Sequence, residues 1–365
     1  MSTAIVASAY YVPENKLTHA ALIDRFGEDT MRKVAESAGV LERRVTANGE
    51  CASDLAFRAA TDLLEHHKIP RNSIDLILFA SQTPDYLLPT TACLLQDRLG
   101  LPNRCAAFDI NLGCSQYVYS LAVGYSMIEA GLARRALLLT GDTVSRILHP
   151  MDRAVVPLFG DAGTATLLEK SEPGTGFLRF NLGTDGKGGQ FLIWPTSGLR
   201  KPRTPDTAQE ITDKNGNVRR GDDMFMDGAA IFMFTLKIVP KLIEELVTES
   251  GLKMSDVDLF VFHQASEMIV ESSAKKLKIP PSKLHYKLHD VGNSGGSTVG
   301  VALTDAWLKD RIKPGMTVVL SAFGVGLSWA GALIRWPENT LGPVCTVDYS
   351  GSPPPPQKQI GWMNS

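Results

Sequence analysis

The sequence predicts an α/β fold built from two copies of one half-domain. Two observations carry this. Short β-branched runs alternate with helical stretches along the chain, the order in which helices come to cover the faces of a sheet. Three segments of the first half also return in the second at nearly one spacing. Ile74-Asp75-Leu76-Ile77-Leu78-Phe79 matches Val257-Asp258-Leu259-Phe260-Val261-Phe262 at an offset of 183 residues. Asn111-Leu112-Gly113-Cys114-Ser115 matches Asn293-Ser294-Gly295-Gly296-Ser297 at 182, and Ala136–Thr140 matches Thr317–Ser321 at 181. Each match alone is weak. Their agreement reads as a duplication in which each half donates one sheet and one buried helix.

In chain order, the first half is expected to carry a strand at Ala4–Ala9, a helix at Ala52–Lys68, a strand at Ile74–Ala80 and a helix at Thr90–Leu99. A strand at Ala106–Ile110, a helix at Ser115–Ala130 and a strand at Ala136–Thr140 follow. The second half offers a helix at Ile231–Ser250, a strand at Leu259–Phe262, helices at Glu267–Leu277 and Thr298–Lys309, and a strand at Thr317–Ser321. Residues 1–172 and 173–336 are expected to be the halves, divided near Glu169–Gly176, where Pro173 and two glycines break the pattern. Leu199–Asp223 is polar and charged and reads as a surface excursion. Residues 337–365 form a Pro- and Gly-rich tail with a run at Pro353–Pro356, expected to be extended, disordered or laid across a neighbouring surface.

The chain has 365 residues, 44% of them hydrophobic, with 37 Lys and Arg against 39 Asp and Glu, a formal charge of −2. That is enough chain for an ordinary core without disulfides or metal. Near-neutral charge with no basic block excludes a nucleic-acid carrier and a polybasic membrane anchor. Five scattered cysteines without a C-x-x-C pair suit neither a secreted disulfide scaffold nor a zinc ribbon, so no metal is expected. The segment Met1–Lys16 lacks a basic start and reads as a strand rather than a signal peptide. Two uncharged runs imitate membrane spans. Ile110–Ile128 contains Asn111, Gln116 and several serines, and Pro314–Ile334 is broken by Gly315, Gly324 and Gly326, so both read as buried core. A cytoplasmic protein with no membrane insertion is expected.

Cys114 is the sharpest chemical feature. It follows a strand and one Gly and precedes a helix without charge before Glu129. Exposed backbone N–H groups and the helix dipole at such a position favour thiolate. The competing reading, a small buried apolar Cys, suits Cys51, Cys93, Cys105 and Cys345. His263 ends the strand Leu259–Phe262, where open α/β sheets place their sites; the competing reading is a structural His at a helix start. Asn293, in Gly292-Asn293-Ser294-Gly295-Gly296, begins the turn equivalent to that of Cys114. A pseudo-twofold axis would bring the two turns together, with Cys114, His263 and Asn293 facing one pocket; otherwise Asn293 is an ordinary turn residue. The remaining histidines read as surface or structural. Gly292-x-Ser294-x-Gly296 imitates a hydrolase nucleophile elbow, but no His follows Ser294. Gly324-x-Gly326 lacks the third glycine of a dinucleotide loop, Trp329 standing there, and Gly160-Asp161-Ala162-Gly163 lacks the Lys-Ser/Thr of a phosphate loop.

Leu112-Gly113-Cys114-Ser115, Phe159-Gly160-Asp161-Ala162-Gly163, His263-Gln264-Ala265, Ala274-Lys275-Lys276-Leu277, Gly292-Asn293-Ser294 and Phe323-Gly324-Val325-Gly326 are similar, in order and spacing, to the β-ketoacyl-acyl-carrier-protein synthase III group of the thiolase superfamily. The resemblance covers roughly Ala4 to Trp336. It implies a five-layered α-β-α-β-α fold of two duplicated halves, a homodimer, and a decarboxylative Claisen condensation that joins an acyl group loaded on a cysteine to a malonyl- or β-ketoacyl-type carrier-protein thioester. No cofactor is implied beyond carrier-protein phosphopantetheine or coenzyme A thioesters as substrates. Carried over residue by residue, Cys114 is the nucleophile, His263 and Asn293 the decarboxylation pair, and Gly324, Val325 and Gly326 the oxyanion loop with the Cys114 amide. Arg153 matches a coenzyme A clamp residue, Leu88 the place of an aromatic gate from the partner subunit, and Lys275 and Lys276 candidate contacts to acyl carrier protein, a solvated helix face being the alternative for the lysines. The sequence departs from the family pattern at Lys33 and Ser37 (usually Trp and Arg), Ser266 (usually Asn), Met268 (usually basic) and Val325 (usually Gly). Four competing readings stand beside condensation, a plant-like polyketide synthase among them. One is transfer of the Cys114 acyl group to an alcohol or amine, which needs no enolate holder. A thiolase would need a second late cysteine, absent from Phe323–Trp336. The last is a noncatalytic dimer scaffold.

Overall fold

The computed structural model describes residues 2–345. Its first half supplies strand β1 (Ser2–Tyr11), helix α1 (Ala52–His66), β2 (Leu76–Ala80), α2 (Thr91–Arg98), β3 (Ala106–Ile110), α3 (Gln116–Glu129), β4 (Arg135–Thr143) and β5 (Asp161–Ser171). The second supplies β6 (Gly176–Thr184), α4 (Gly228–Thr248), β7 (Leu259–Phe262), α5 (Glu267–Lys276), α6 (Thr298–Leu308), β8 (Thr317–Gly324) and β9 (Ser328–Arg335), and β10 (Gly342–Cys345) closes the described chain.

The strands form a six-stranded sheet in the order β10-β1-β5-β4-β2-β3 and a four-stranded sheet in the order β7-β8-β9-β6. Setting β2, β4, β5 and β1 against β7, β8, β9 and β6 superposes the two connectivities. In both sheets the first pair is parallel and the next two are antiparallel. The counterpart of β3 is reduced in the second half to a single parallel bridge, Phe260 with Leu284. Helices α3 and α6 lie between the sheets, α1 and α2 cover the outer face of the first, and α4 and α5 cover the second. These are the five layers, α-β-α-β-α.

Side-chain patterning explains the layering. All five residues of β2 are buried. Leu76 and Leu78 point into the core between the sheets, while Ile77 and Phe79 pack beneath α1, as period-two alternation requires of a strand covered on both faces. The central helices are buried over most of their length, with exposed residues only towards their C-terminal ends. In α3, Gly124 admits Leu138 and Leu168 so closely that a Cβ would come within 3.0 Å of each. In α6 every residue from Thr298 to Trp307 is buried, and its one acid, Asp305, is held by His285 at 2.8 Å and Lys309 at 2.9 Å. An apolar helix of this kind is stable only inside a sandwich.

Three features refine the sequence expectations. Residues 342–345 are not a free tail; they add a parallel strand to the edge of β1. Residues 346–365, including the proline run, lie outside the described residues. The excursion after Leu199 is exposed and carries a small hairpin, Ile211–Thr212 with Val218–Arg219, clamped to the body where Arg219 meets the buried Asp152. The two apolar runs that imitate membrane spans fold as β3 with α3 and as β8 with β9, and among the described residues no helix is long and apolar enough to cross a membrane.

Candidate active site

Cys114 sits in the tight turn between β3 and α3, where Gln116 N donates to Gly113 O at 2.9 Å. The equivalent turn of the second half holds Asn293, and the loop after β8 folds over both. Cys114, His263, Asn293, Phe323 and Gly324 line one cavity of about 270 Å³, together with apolar side chains that include Leu158, Phe159 and Met268. The sulfur is 4% exposed, yet it borders this cavity rather than solid hydrocarbon.

The loop is shaped around the sulfur. Gly324 has φ +154°, and a Cβ there would lie 2.7 Å from Cys114 Sγ, so only glycine fits. The N–H of Val325 and the N–H of Cys114 itself both donate toward the sulfur. These two amides are placed to hold negative charge on an atom bonded next to it. The Val325 side chain turns away and packs on Gly113, where a Cβ would approach Cγ1 to 1.8 Å.

The helix-terminus argument for an ionised sulfur is corrected by burial. Removal from water pushes the Cys114 thiol up to about 11, against the pull of the two amides, and the nearby Asp142 adds to the rise. At rest the side chain is therefore a thiol.

His263 follows β7, and its N–H donates to Ser321 O at 2.7 Å. Gln264 locks the next turn, donating to Phe262 O at 2.7 Å and accepting from Lys287 N at 3.1 Å. The His263 ring packs edge-on to Phe323, and Nδ1 lies 2.5 Å from the Thr298 hydroxyl. Complete burial with no carboxylate partner depresses the imidazole to about 3, so the ring is neutral. The Thr298 hydroxyl can donate to Nδ1 or accept from it; with Nδ1 accepting, the proton of the neutral ring is on Nε2.

Asn293 is held by its backbone, which exchanges bonds with Leu158 O (2.8 Å) and Gly160 N (3.0 Å). Gly160 allows that approach, since a Cβ there would stand 2.1 Å from Val291 O. The carboxamide oxygen accepts from Gly295 N at 3.1 Å, leaving the NH₂ as a donor for the cavity. Two neutral donors from the second half thus share a cavity with one sulfur from the first.

Leu88, Arg153, Lys275 and Lys276 do not join them. Leu88 is 86% exposed and lines no part of this cavity within its own chain. Arg153 is half-buried beside Gly216 of the hairpin; its neighbour Ala154, not Arg153, reaches the cavity. Lys275 is exposed, and the Lys276 ammonium donates to Leu236 O at 3.0 Å. Ser37 and Met268 do line the cavity, so its rim is uncharged where the family pattern places cations. Among the described residues no cluster of His, Cys, Asp and Glu is arranged to hold a metal ion.

Three residues escaped the sequence reading. Thr298 orients His263. The fully buried Asp142 accepts from Gln82 N (3.0 Å), Ser81 Oγ (3.3 Å), Gln116 Nε2 (3.1 Å) and Gly296 N (2.7 Å). Gln82 lies between the two turns. The duplication offset carried a signal for one of them, since Thr298 is the counterpart of Gln116, two residues past Cys114.

Comparison with known proteins fits this geometry. The family described as 3-oxoacyl-[acyl-carrier-protein] synthase III matches residues 108–186, and its C-terminal family matches 247–336. A β-ketoacyl-[acyl-carrier-protein] synthase III from Caldanaerobacter subterraneus subsp. tengcongensis is 34% identical over 336 residues, 92% of this chain and 98% of that one. Another, from Rhodopirellula baltica, is 33% identical over 91% of this chain and 98% of its own. Among solved structures, a 3-oxoacyl-(acyl-carrier-protein) synthase III superposes with TM-score 0.90 at 38% identity, covering 92% of this chain and all of that one. The corresponding synthase of Burkholderia xenovorans LB400 gives 0.87 at 36%, covering 95% and 97%.

Proposed function

The chain belongs to the 3-oxoacyl-[acyl-carrier-protein] synthase III family, and on that premise we propose that it condenses an acyl thioester with a malonyl-type thioester on acyl carrier protein, with loss of carbon dioxide. The observation that carries this reading is the single cavity shared by Cys114, His263 and Asn293.

The sulfur attacks the donor carbonyl, and the tetrahedral oxygen takes up charge facing the amides of Val325 and Cys114. One such donor is worth roughly 3–4 kcal/mol in the transition state. The new C–S bond forms as the donor's breaks, and the departing thiolate takes the proton that Cys114 loses. The extender then enters. Decarboxylation leaves an enolate, whose oxygen accepts from His263 Nε2–H and Asn293 Nδ2–H. A donor near pKa 3 in its cationic form stays neutral here and holds the enolate without protonating it. The enolate carbon attacks the Cys114 acyl group, forms the carbon–carbon bond and frees the sulfur. Transfer to an alcohol or amine needs a base but no enolate holder, so it would make no use of Asn293.

The uncharged rim at Ser37 and Met268, without a cationic clamp, supports phosphopantetheine on a carrier protein over coenzyme A as the donor arm, with Lys275 as the basic residue left free for that carrier. A homodimer is proposed from β3: it is an edge strand with half-buried Phe108 and Ile110, and the loop before α2 exposes Tyr86, Leu87 and Leu88 beside it. With five free cysteines and no disulfide among the described residues, the cytoplasm is the compartment proposed.

Intact-protein mass spectrometry after exposure to an acyl thioester tests the reading. Acylation is expected in the native chain and absent from Cys114→Ala, and carbon dioxide is expected from a malonyl donor. Acylation that persists in the variant, or an ester or amide product without carbon dioxide, overturns it.

A further inference from the structure

Behind the oxyanion loop lies a second space. A chamber of about 230 Å³ is bordered by Leu112, Gly113, Val325 and Gly326. It opens into a wider one of about 500 Å³, the two sharing Gln82, Asn111, Ile147, Trp194 and Ser197. Leu192 lines both the inner chamber and the Cys114 cavity, and the Gly113–Cys114 turn and the Gly324–Gly326 loop each contribute to both, so the two spaces are neighbours at Cys114. A thioester at Cys114 has two arms that diverge from one carbonyl carbon. The arm that ends in sulfur must lie on the His263–Asn293 side, because the extender's carbonyl has to reach those donors. The chamber is left for the acyl arm.

Its inner wall is apolar, from Leu112, Leu192 and Met224, but the part that opens into the wider chamber is not. The Gln82 carboxamide is wedged between the two turns: a Cβ on Gly113 would come within 2.7 Å of Oε1, and one on Gly295 within 2.9 Å of Nε2. Its backbone N–H is taken by Asp142, yet neither the Gln82 carboxamide nor that of Asn111 makes a hydrogen bond among the described residues. A methyl-ended chain would cover these groups without replacing their water, which a site built with polar groups resists. Farther out, Arg146 and Arg203 face the wider chamber. The Arg203 guanidinium rests over the Trp194 ring at 5.7 Å, and the single acid there, Asp85, already accepts from the Ser53 hydroxyl at 2.7 Å.

Resting on the condensing reading, we propose that the acyl group loaded on Cys114 carries a carboxylate at its far end, so that the donor is the monothioester of a dicarboxylic acid. Gln82 and Asn111, which line both chambers, would donate to that carboxylate, and the two guanidinium groups would neutralise it. The loading step is the thioester exchange already described, with the distal carboxylate unchanged.

The test compares pantetheine thioesters of matched length: butyryl with succinyl, hexanoyl with adipoyl, octanoyl with suberoyl, and acetyl as reference. The rate of Cys114 acylation is read by intact mass. At the best-fitting length the carboxylate-ended chain is expected to load about tenfold faster than its methyl-ended partner or more. Within each variant the ratio of the two rates is the readout, which removes any general loss of activity. Arg203→Met is expected to bring that ratio toward unity and Arg203→Lys to recover part of it. Acetyl loading combined with methyl-ended chains that match or outpace their partners at every length overturns this proposal alone. Failure of every thioester, acetyl included, removes the condensing reading and this one with it. A ratio unchanged in Arg203→Met also overturns it.

Discussion

The Asp142 carboxylate and the Gly296 N–H, contributed by opposite halves of the chain, meet at 2.7 Å. Gly296 is the duplication counterpart of Cys114 and lies three residues past Asn293. The same carboxylate oxygen accepts from Gln116 Nε2 at 3.1 Å, at the start of the helix that follows Cys114. One acid therefore sets the position of the Cys114 turn relative to the turn that presents Asn293.

Asp142→Asn is expected to disturb that register while preserving size. Four donors converge on two carboxylate oxygens, whereas a carboxamide offers one oxygen and turns its NH₂ against donors. An unsatisfied buried N–H costs about 1–3 kcal/mol. Carbon dioxide release from a malonyl donor should fall more steeply than Cys114 acylation, measured on the same preparation. Equal losses in both steps would reduce Asp142 to general stability.

The pH dependence of stability separates Asp142 from His263. Burial raises the Asp142 carboxyl from 3.8 to about 7 and lowers His263 from 6.5 to about 3. Between pH 4 and 6.5 the folded chain therefore holds a proton on Asp142 that the unfolded chain has released, so this group's stabilisation is complete below about pH 4 and is lost as pH rises to 7. His263 acts in the opposite sense: the unfolded ring holds the proton, and stability is lost as pH falls from 6.5 toward 3. Each contributes a slope of up to about 1.4 kcal/mol per pH unit, with opposite signs. Urea unfolding across this window should show Asp142→Asn gaining relative to the native chain as pH rises, and His263→Gln gaining as pH falls.

Thr298→Val removes the hydroxyl that fixes the His263 tautomer and keeps the shape. Decarboxylation should slow about tenfold, the worth of one hydrogen bond of about 1.4 kcal/mol. Acylation should be little changed, and ring ¹⁵N shifts of His263 should report a mixture of tautomers. Unaltered ring shifts would show that Thr298 does not choose the tautomer.

Gly113→Ala should be severe alone, because its Cβ would overlap Val325 Cγ1. Combined with Val325→Gly, which removes that methyl and keeps the amide, much of the lost stability should return, leaving the contact with Gln82 Oε1 at 2.7 Å to be relieved by a side-chain shift. Thermal denaturation of the two single variants and the double variant measures the coupling. Additive losses would place the Val325 side chain elsewhere.

Much of this protein was legible in one dimension. Buried strands such as Leu76–Ala80 and uncharged central helices declare themselves through residue type, because the period of a sequence pattern is the period of the element. The duplication, read at offsets of 181 to 183 residues, already paired the turns of Cys114 and Asn293. Less visible were β5, β6 and β9, whose Gly, Ala and Thr residues become strand only by packing between neighbours. The charged helices at His19–Phe26 and Glu28–Ala38 also went unread.

Residue identity and spacing determined which groups could do chemistry and that two half-folds would present them. Packing alone decided their state. Whether Cys114 rests as thiol, whether His263 is neutral, and which acid ties the two turns together all depend on water excluded and on neighbours brought together from 154 positions apart along the chain, as Gly296 is to Asp142. Ionisation is settled by the local dielectric and by nearby dipoles, and these exist only once the two sheets have closed over the site.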